Sequence, residues 1–272
     1  MMKVRDKVIL VTGAGSGMGR ALVLSLLNKG ARVAAVDLNK NTLRETIELA
    51  GTQRDKVSSH VVNVSDRQAV EALPDEVINA HGVIDGLINN AGIIQPFVRL
   101  NDLGYDAIER VMNVNLYGVV YMTKAFLPHL LKRPAAHIVN VSSMGGFFPV
   151  PGQTMYGASK AGVKLLTEGL YAELTDTNVR VTVVFPGAIA TNISQNSGIS
   201  IPSGTTSESS QSFPTTSAED AAEMIINGME RDQFQVYVGN DAKMMNMLYR
   251  MSPKRATRFM YNRMKGLLSS TR

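Results

Sequence analysis

Lys7-Val8-Ile9-Leu10-Val11-Thr12-Gly13-Ala14-Gly15-Ser16-Gly17-Met18-Gly19 decides the fold of this chain. Its apolar part is too short for a signal peptide and runs straight into glycines, so it reads as a strand entering a turn and then a helix from about residue 17. Glycines there allow a tight turn and close approach of a pyrophosphate to the backbone. The helix N-terminus adds free N–H groups and the positive end of its dipole. The spacing is Thr-Gly-x-x-x-Gly-x-Gly, because Met18 and Arg20 break both registers of Gly-x-Gly-x-x-Gly. Such a turn becomes specific for a nucleotide when an acidic residue closes the next strand. Asp37 does so, eighteen positions after Gly19. A carboxylate there accepts hydrogen bonds from adenosine ribose hydroxyls and repels a 2′-phosphate. Leu38 and Asn39 follow with no base directly beside it, so NAD is expected over NADP. The alternative is that Asp37 caps the next helix.

Outward from this stretch, short β-branched runs alternate with longer helical patterns, which argues for a parallel sheet covered on both faces. Strands are expected at Lys7–Val11, Arg32–Asp37, Val57–Asn63, Ile84–Asn89, His137–Ser142, Val179–Phe185 and Gln235–Gly239. Helices are expected at about 17–29, 39–50, 66–81, 104–131, 153–176 and 218–230. Ser217 and Asp220 form a capping box for the last of these. Pro74 should kink or divide the third.

Composition narrows the chemistry. The 272 residues suit one α/β domain or two small ones, and 44% hydrophobic content supports a sizeable core. With no cysteine there is no disulfide, thiolate metal site or cysteine nucleophile, which is compatible with a reducing, cytoplasmic setting. The four histidines show no metal-ligand spacing, so no metal is expected. No apolar stretch approaches a membrane span. The net charge of +5 is concentrated at the end: residues 243–272 hold eight Lys/Arg and no acid, which leaves 5 − 8 = −3 for the remainder. The body therefore does not read as a nucleic-acid binder.

Tyr156 and Lys160 stand four residues apart, on one face of a helix, where the ammonium would favour the phenolate. A tyrosine so tuned transfers protons near neutral pH. Ser143 lies thirteen residues upstream, at a strand end. Its neighbour Ser142 is the rival, but strand alternation points that side chain elsewhere.

Taken together, Thr12-Gly13…Gly17-x-Gly19, Asn89-Asn90-Ala91-Gly92, Asn115, Ser143, Tyr156…Lys160 and Pro186-Gly187…Thr191 resemble, in order and spacing, the short-chain dehydrogenase/reductase family over about residues 5–240. The resemblance implies a single Rossmann-like, doubly wound α/β domain (residues 1–242) with a seven-stranded parallel sheet. It implies hydride transfer between a nicotinamide and a carbonyl or alcohol. By the same resemblance Tyr156 is the general acid/base, and Lys160 lowers its pKa and holds the nicotinamide ribose. Ser143 binds the substrate oxygen, and Asn115 anchors a water in the proton relay. Asn90, Ala91 and Gly92 line the adenosine-ribose side of the cofactor site, Pro186, Gly187, Ile189 and Thr191 hold the nicotinamide and its carboxamide, and Gly13, Ser16, Gly17, Met18, Gly19, Asp37 and Leu38 complete the cofactor-binding set. Family members form homodimers or homotetramers, and that is the expected partner. Two departures stand out. Asn63, followed by Val64, replaces the usual Asp that contacts adenine, though its amide oxygen can still accept. Met18 replaces a smaller aliphatic residue.

The substrate wall is expected from Met144, Phe147, Phe148, Pro149, Val150, Met155 and the loop after Thr191, and such a wall suits a small hydrophobic carbonyl or alcohol. Phe147 and Phe148 are alternatively core residues. Residues 194–217 carry nine Ser and four Thr, and the segment 193–216 is a candidate substrate lid. Ser252-Pro253 opens a basic C-terminal helix whose Ala256, Phe259, Met260, Met264 and Leu267 form a stripe. This extension, 243–272, packs on the body, covers the pocket or an oligomer interface, or makes peripheral contact with an anionic membrane.

Overall fold

The structure, a computed structural model, describes residues 2–199 and 215–269. Seven parallel strands run in the order β3-β2-β1-β4-β5-β6-β7. They are β1 Val8–Thr12, β2 Arg32–Asp37, β3 Val57–Val61, β4 Gly86–Asn89, β5 Ala136–Val141, β6 Val179–Pro186 and β7 Gln235–Val238. Side chains alternate between the two faces with period two. Ile9 and Val11 of β1, with Val33 and Ala35 of β2, enter one core. Val8 and Leu10, with Ala34 and Val36, enter the other. The first core is covered by α1 (Gly17–Asn28) and α8 (Ala218–Glu230) through Leu22, Leu26, Ile225 and Met229. The second is covered by α3 (Arg67–His81), α5 (Gly118–Leu130) and α6 (Thr154–Glu173) through Val70, Leu73, Phe126 and Leu170. Burial on both sides explains why β1 reads as an unbroken apolar run.

Helix boundaries lie close to the sequence reading, with two differences. Pro74 does not divide α3; its ring is buried on the apolar face of one continuous helix. The expected helix 104–131 is instead α4 (Tyr105–Met112), a π-helical turn over Asn113–Tyr117, and α5. Ser217 caps α8 as expected, accepting from Asp220 N at 2.9 Å. The small helix α2 (Lys40–Leu49) is capped by Asn39, which accepts from Asn41 N and Thr42 N, and not by Asp37.

After a four-residue turn, α7 (Ile193–Asn196), the described chain resumes at residue 215. The central part of the expected lid, 200–214, lies outside the described residues. Two helices close the chain, α9 (Asn240–Met251) and α10 (Pro253–Ser269), with Pro253 at the first helical position. Met245, Ala256 and Met260 are buried around Phe148. The extension therefore packs on the body over the strap that follows Ser143.

Candidate active site

The site lies at the carboxyl ends of β1, β2, β4, β5 and β6, where the strand order reverses between β1 and β4. The glycine loop is built by backbone necessity. Gly13 and Gly17 have φ of +68° and +49°, a region that side-chain-bearing residues rarely adopt. At Gly19 an added Cβ would run into the carbonyl of Gly13. The loop is joined to β4 by Thr12: its Oγ1 accepts from Asn90 N (2.9 Å) and Ala91 N (3.0 Å), while Asn90 Nδ2 donates to Thr12 O at 2.9 Å. Asp37 holds the loop from the other side, accepting from Gly15 N at 2.8 Å and from Asn39 N at 2.9 Å. Arg20 braces it from below, donating to Gly15 O. Ser16, the N-cap residue of α1, makes no cap hydrogen bond, and the first turn carries no acid. The N–H groups at that end therefore face the cleft without a side-chain partner from the cap.

Ser143, Tyr156 and Lys160 meet at the end of β5. Ser143 Oγ accepts from Gly145 N at 3.0 Å. Glycine at 145 leaves room for the tyrosine ring: a Cβ there would sit 3.2 Å from Tyr156 Cε1 and 3.4 Å from Ser143 Oγ. Ser142 turns away, as expected, and donates to Lys160 O at 2.7 Å. Lys160 is buried, and its Nζ donates to Val141 O at 2.9 Å. Burial lowers its pKa to about 8. Burial raises the Tyr156 phenol, and a hydrogen bond with Ser143 opposes that rise. The expected depression by Lys160 is thus not what the protein groups alone produce, because desolvation acts on both residues and the ammonium is turned to Val141 O.

Two expected roles change in detail. Asn115, in the π-helical turn, is fully buried and does not line the cleft. Its Oδ1 accepts from Ile93 N, and its Nδ2 donates to Ile93 O and to Ser159 Oγ, so both amide protons are engaged. Asn63 turns its oxygen to Ser65, accepting from both N (3.1 Å) and Oγ (2.8 Å), so that oxygen is not directed at a ligand.

The far bank is formed by Pro186, Gly187, Ile189 and Thr191. Thr191 packs against the glycine loop, where a Cβ on Gly17 would lie 3.1 Å from its Cγ2. Asp241, at the start of α9, accepts from Ala188 N at 2.7 Å and fills the space beside Gly187. The α7 turn crosses between the banks. Asn196 Nδ2 donates to Ser16 Oγ at 2.8 Å, Ser197 Oγ accepts from Ile94 N, and Ser197 O accepts from Arg110.

The glycine loop, the end of β2, the Ser143–Tyr156–Lys160 cluster and the far bank border one cleft of about 500 Å³. It is lined by Gly13, Ser16, Gly17, Met18, Gly19, Asp37, Leu38, Asn63, Val64, Asn90, Ala91, Gly92, Ser143, Tyr156, Lys160, Pro186, Gly187, Ile189 and Thr191. Every residue expected in the site is there except Asn115. Of the expected substrate walls, only the loop after Thr191 is there, through Ile193 and Asn196. Met144, Phe147, Phe148, Pro149, Val150 and Met155 are absent from the lining, because Phe148 is sealed under the tail and Phe147 packs edge-on to Phe185 at 5.3 Å. Ile93, Ile94, Val114, Ile189 and Ile193 supply the apolar lining instead. Arg110 and Asp241 were not identified from sequence, nor was Gln95, whose Oε1 accepts from Met155 N and Tyr156 N; each acts on a partner far away in the chain and carries no local motif.

The residues present fit a dinucleotide. The glycine loop keeps its backbone clear of side chains, the helix end offers N–H groups, and a carboxylate stands at the end of β2. Among the described residues no group of three or more potential ligands could hold a metal ion. No helix among them is long and apolar enough to cross a membrane.

Comparisons with known proteins agree with this geometry. The family model described as short chain dehydrogenase matches residues 7–200. A Mycobacterium tuberculosis (strain H37Rv) protein named as an oxidoreductase, SadH, is 38% identical over 261 residues, covering 92% of each chain. A 3-oxoacyl-[acyl-carrier-protein] reductase, FabG, of Thermotoga maritima is 41% identical over 196 residues, covering 71% of this chain and 78% of its own. Among solved structures, a short chain dehydrogenase/reductase of Burkholderia phymatum in complex with NAD superposes with a TM-score of 0.84 at 25% identity, covering 93% of this chain and 96% of that one. A short chain dehydrogenase of Burkholderia cenocepacia J2315 in complex with NADP gives 0.79 at 27% identity, covering 95% and 99%. The glycine loop, the Ser143–Tyr156–Lys160 cluster and the sheet that carries them place this chain in the short chain dehydrogenase family, as an oxidoreductase that uses a nicotinamide dinucleotide.

Proposed function

We propose that the protein interconverts a hydrophobic secondary alcohol and its ketone, prefers NAD over NADP, and uses Tyr156 as the general acid/base. The observation that carries this reading is the placement of the Tyr156 phenol, the Ser143 hydroxyl and the buried Lys160 ammonium on the wall of the cleft that the glycine loop and Asp37 also line. When bound, the nicotinamide supplies or accepts the hydride. Ser143 holds the substrate oxygen beside the phenol, and Tyr156 gives that oxygen a proton in reduction or removes one in oxidation. Lys160, partly charged near its pKa of about 8, provides the nearby cation and is placed to hold the ribose beside it. Asn115 can serve a water relay only through its backbone, since its side chain braces Ile93 and Ser159. The Asp37 carboxylate at the end of β2 supports the NAD preference, because a negative charge there would repel a 2′-phosphate. The Ile-rich lining supports a hydrophobic substrate, and the α7 turn borders the same cleft, tied to the glycine loop through Asn196 and Ser16. Exposed Tyr105, Tyr117, Leu165 and Tyr171 support assembly as a homodimer or homotetramer. A cytoplasmic location agrees with the absence of cysteine.

The test is NADH absorbance with a panel of hydrophobic ketones, acyl thioesters, steroids and long-chain alcohols, with Tyr156→Phe as control. Turnover in the wild type that falls by about 10²-fold or more in Tyr156→Phe is expected. Tight NADH binding without turnover across the panel would instead favour a dinucleotide-binding sensor or scaffold.

One observation favours a second reading, action on lipid-like substrates at an anionic surface. Met244, Met247, Met251, Phe259 and Tyr261 are exposed on α9 and α10, among the exposed Lys254, Arg255 and Arg258. Flotation with anionic and neutral vesicles tests it. A Lys254→Glu/Arg255→Glu/Arg258→Glu variant is a better control than truncation, which would uncover Phe148. Equal flotation of the two proteins, or none by either, removes this reading.

A further inference from the structure

We infer that Gln95 is a positioning residue for the tyrosine, an inference that rests on the reading of Tyr156 as acid/base. Gln95 lies in the segment after β4 and is wholly buried. Its Oε1 accepts from Met155 N at 2.8 Å and Tyr156 N at 2.9 Å, and its Nε2 donates to Gly152 O at 3.0 Å. Its main-chain carbonyl accepts from Gln153 Nε2 at 2.7 Å. The N-cap residue of α6, Gln153, makes no cap hydrogen bond to its own helix. The first-turn N–H groups of Met155 and Tyr156 are therefore satisfied by a side chain sixty residues earlier in sequence.

Gln95 works beside Asn115. Asn115 binds both polar backbone atoms of Ile93 and reaches Ser159 on the next turn of α6. Two amide side chains thus join the cleft wall at 93–95 to the tyrosine helix on successive turns. Ile93 and Ile94 line the cleft, so the wall that meets the ligands and the helix that carries the phenol are held as one unit. The tyrosine ring has little lateral freedom, because Gly145 and Ser143 flank it. The start of α6 consequently sets the position of the phenol against the Ser143 hydroxyl. Glutamine does this without charge. A carboxylate in its place would accept the same two N–H bonds, but it would lose the donation to Gly152 O, oppose the phenolate and cancel part of the helix dipole that favours it.

The experiment compares Gln95→Ala and Gln95→Glu in the full chain. Three quantities are read: NADH affinity by fluorescence, the Tyr156 titration by ultraviolet difference against the same protein carrying Tyr156→Phe, and kcat and KM with whichever probe ketone the wild type turns over. Gln95→Ala should lower kcat by about 10- to 100-fold while NADH affinity stays within about threefold, as expected for a misplaced acid/base. Gln95→Glu should retain the fold, raise the Tyr156 pKa, and shift the pH profile upward so that turnover recovers in alkali. The inference is overturned by a Gln95→Ala kcat within about twofold of wild type, or by an unmoved Tyr156 titration in Gln95→Glu. It is also overturned if NADH affinity and kcat fall together in Gln95→Ala, which would make Gln95 a structural residue. If Gln95→Ala does not fold, Gln95→Glu decides alone. A wild type without turnover would sink the reading of Tyr156, while the phenolate titration would still judge Gln95.

Discussion

Replacing Lys160 by methionine should make the protein more stable and remove its activity. Lys160 is buried, and burial brings its pKa from 10.5 to about 8. The folded state therefore holds the charged form less well than the unfolded chain does. Below about pH 8 the lysine is protonated in both states and the full penalty applies. Between about 8 and 10.5 the folded state sheds its proton first, so stability rises with pH and the penalty fades. At about 1.4 kcal/mol for each tenfold change in proton affinity, the fall from 10.5 to about 8 corresponds to roughly 3 kcal/mol at neutral pH. Methionine fills similar space but cannot donate to Val141 O, which gives back about 1 kcal/mol. The net expectation is a variant more stable by about 2 kcal/mol at pH 7. By pH 10 nearly all of that advantage should have gone. Urea unfolding at pH 7 and pH 10, followed by circular dichroism on both proteins, measures it. Turnover should drop by about 10²-fold or more. A Lys160→Met protein less stable than wild type at pH 7, or a stability difference independent of pH, would refute the reasoning.

His137 offers the complementary test in acid. It is buried on β5, donates from Nε2 to Thr182 Oγ1, leaves Nδ1 without a partner, and has its pKa lowered by burial to about 3. The unfolded chain binds the extra proton below about 6.5, so stability should fall with pH between 6.5 and about 3, by about 2 kcal/mol on going from pH 7 to pH 5. His137→Asn should remove that increment from the acid slope; an unchanged slope would count against it. Gly19→Ala should abolish NADH fluorescence enhancement and cost about 1–3 kcal/mol, since its Cβ meets the Gly13 carbonyl, which cannot rotate away; unaltered binding would show that the loop is looser than described. Asp37→Asn keeps one acceptor for Gly15 N but removes the charge, and at an effective dielectric of about 20 a carboxylate about 4 Å from a phosphate costs about 4 kcal/mol. The kcat/KM ratio of NAD to NADP should therefore fall by at least about tenfold; a wild type that already favours NADP would overturn the assignment.

The strands, the helices and the glycine loop were legible because their signals are local: period two, period 3.6, and glycines where a positive φ or a close approach demands them; the other expected cleft residues came from the family resemblance. What was not legible depends on distant partners. Phe147 and Phe148 looked like pocket walls because they follow Ser143, and only the docking of Met245, Ala256 and Met260 turns Phe148 into core. The effect of Lys160 on Tyr156 had the expected neighbours but not the expected balance, since burial acts on both groups. Asn63 and Asn115 were singled out, but the partners of their amides, Ser65, Ile93 and Ser159, are set by a local turn and a π-helical segment that no pattern announces. Gln95 and Asp241 hold backbone from sixty and fifty-three residues away.

The reversal of strand order between β1 and β4 would make a bound dinucleotide a structural cross-tie. β1 and β4 join the two halves of the sheet, and on the proposed reading each end of the dinucleotide would be held by a different half: the glycine loop and Asp37 on one, Lys160, Pro186 and Thr191 on the other. A molecule that grips both banks opposes their separation and is lost when they part. Saturation at about 100 times Kd would add about 2.7 kcal/mol to the stability of the joined state. In a cell where the nicotinamide pool rises and falls, the lifetime of this protein against proteolysis would then track that pool, independently of any catalytic turnover.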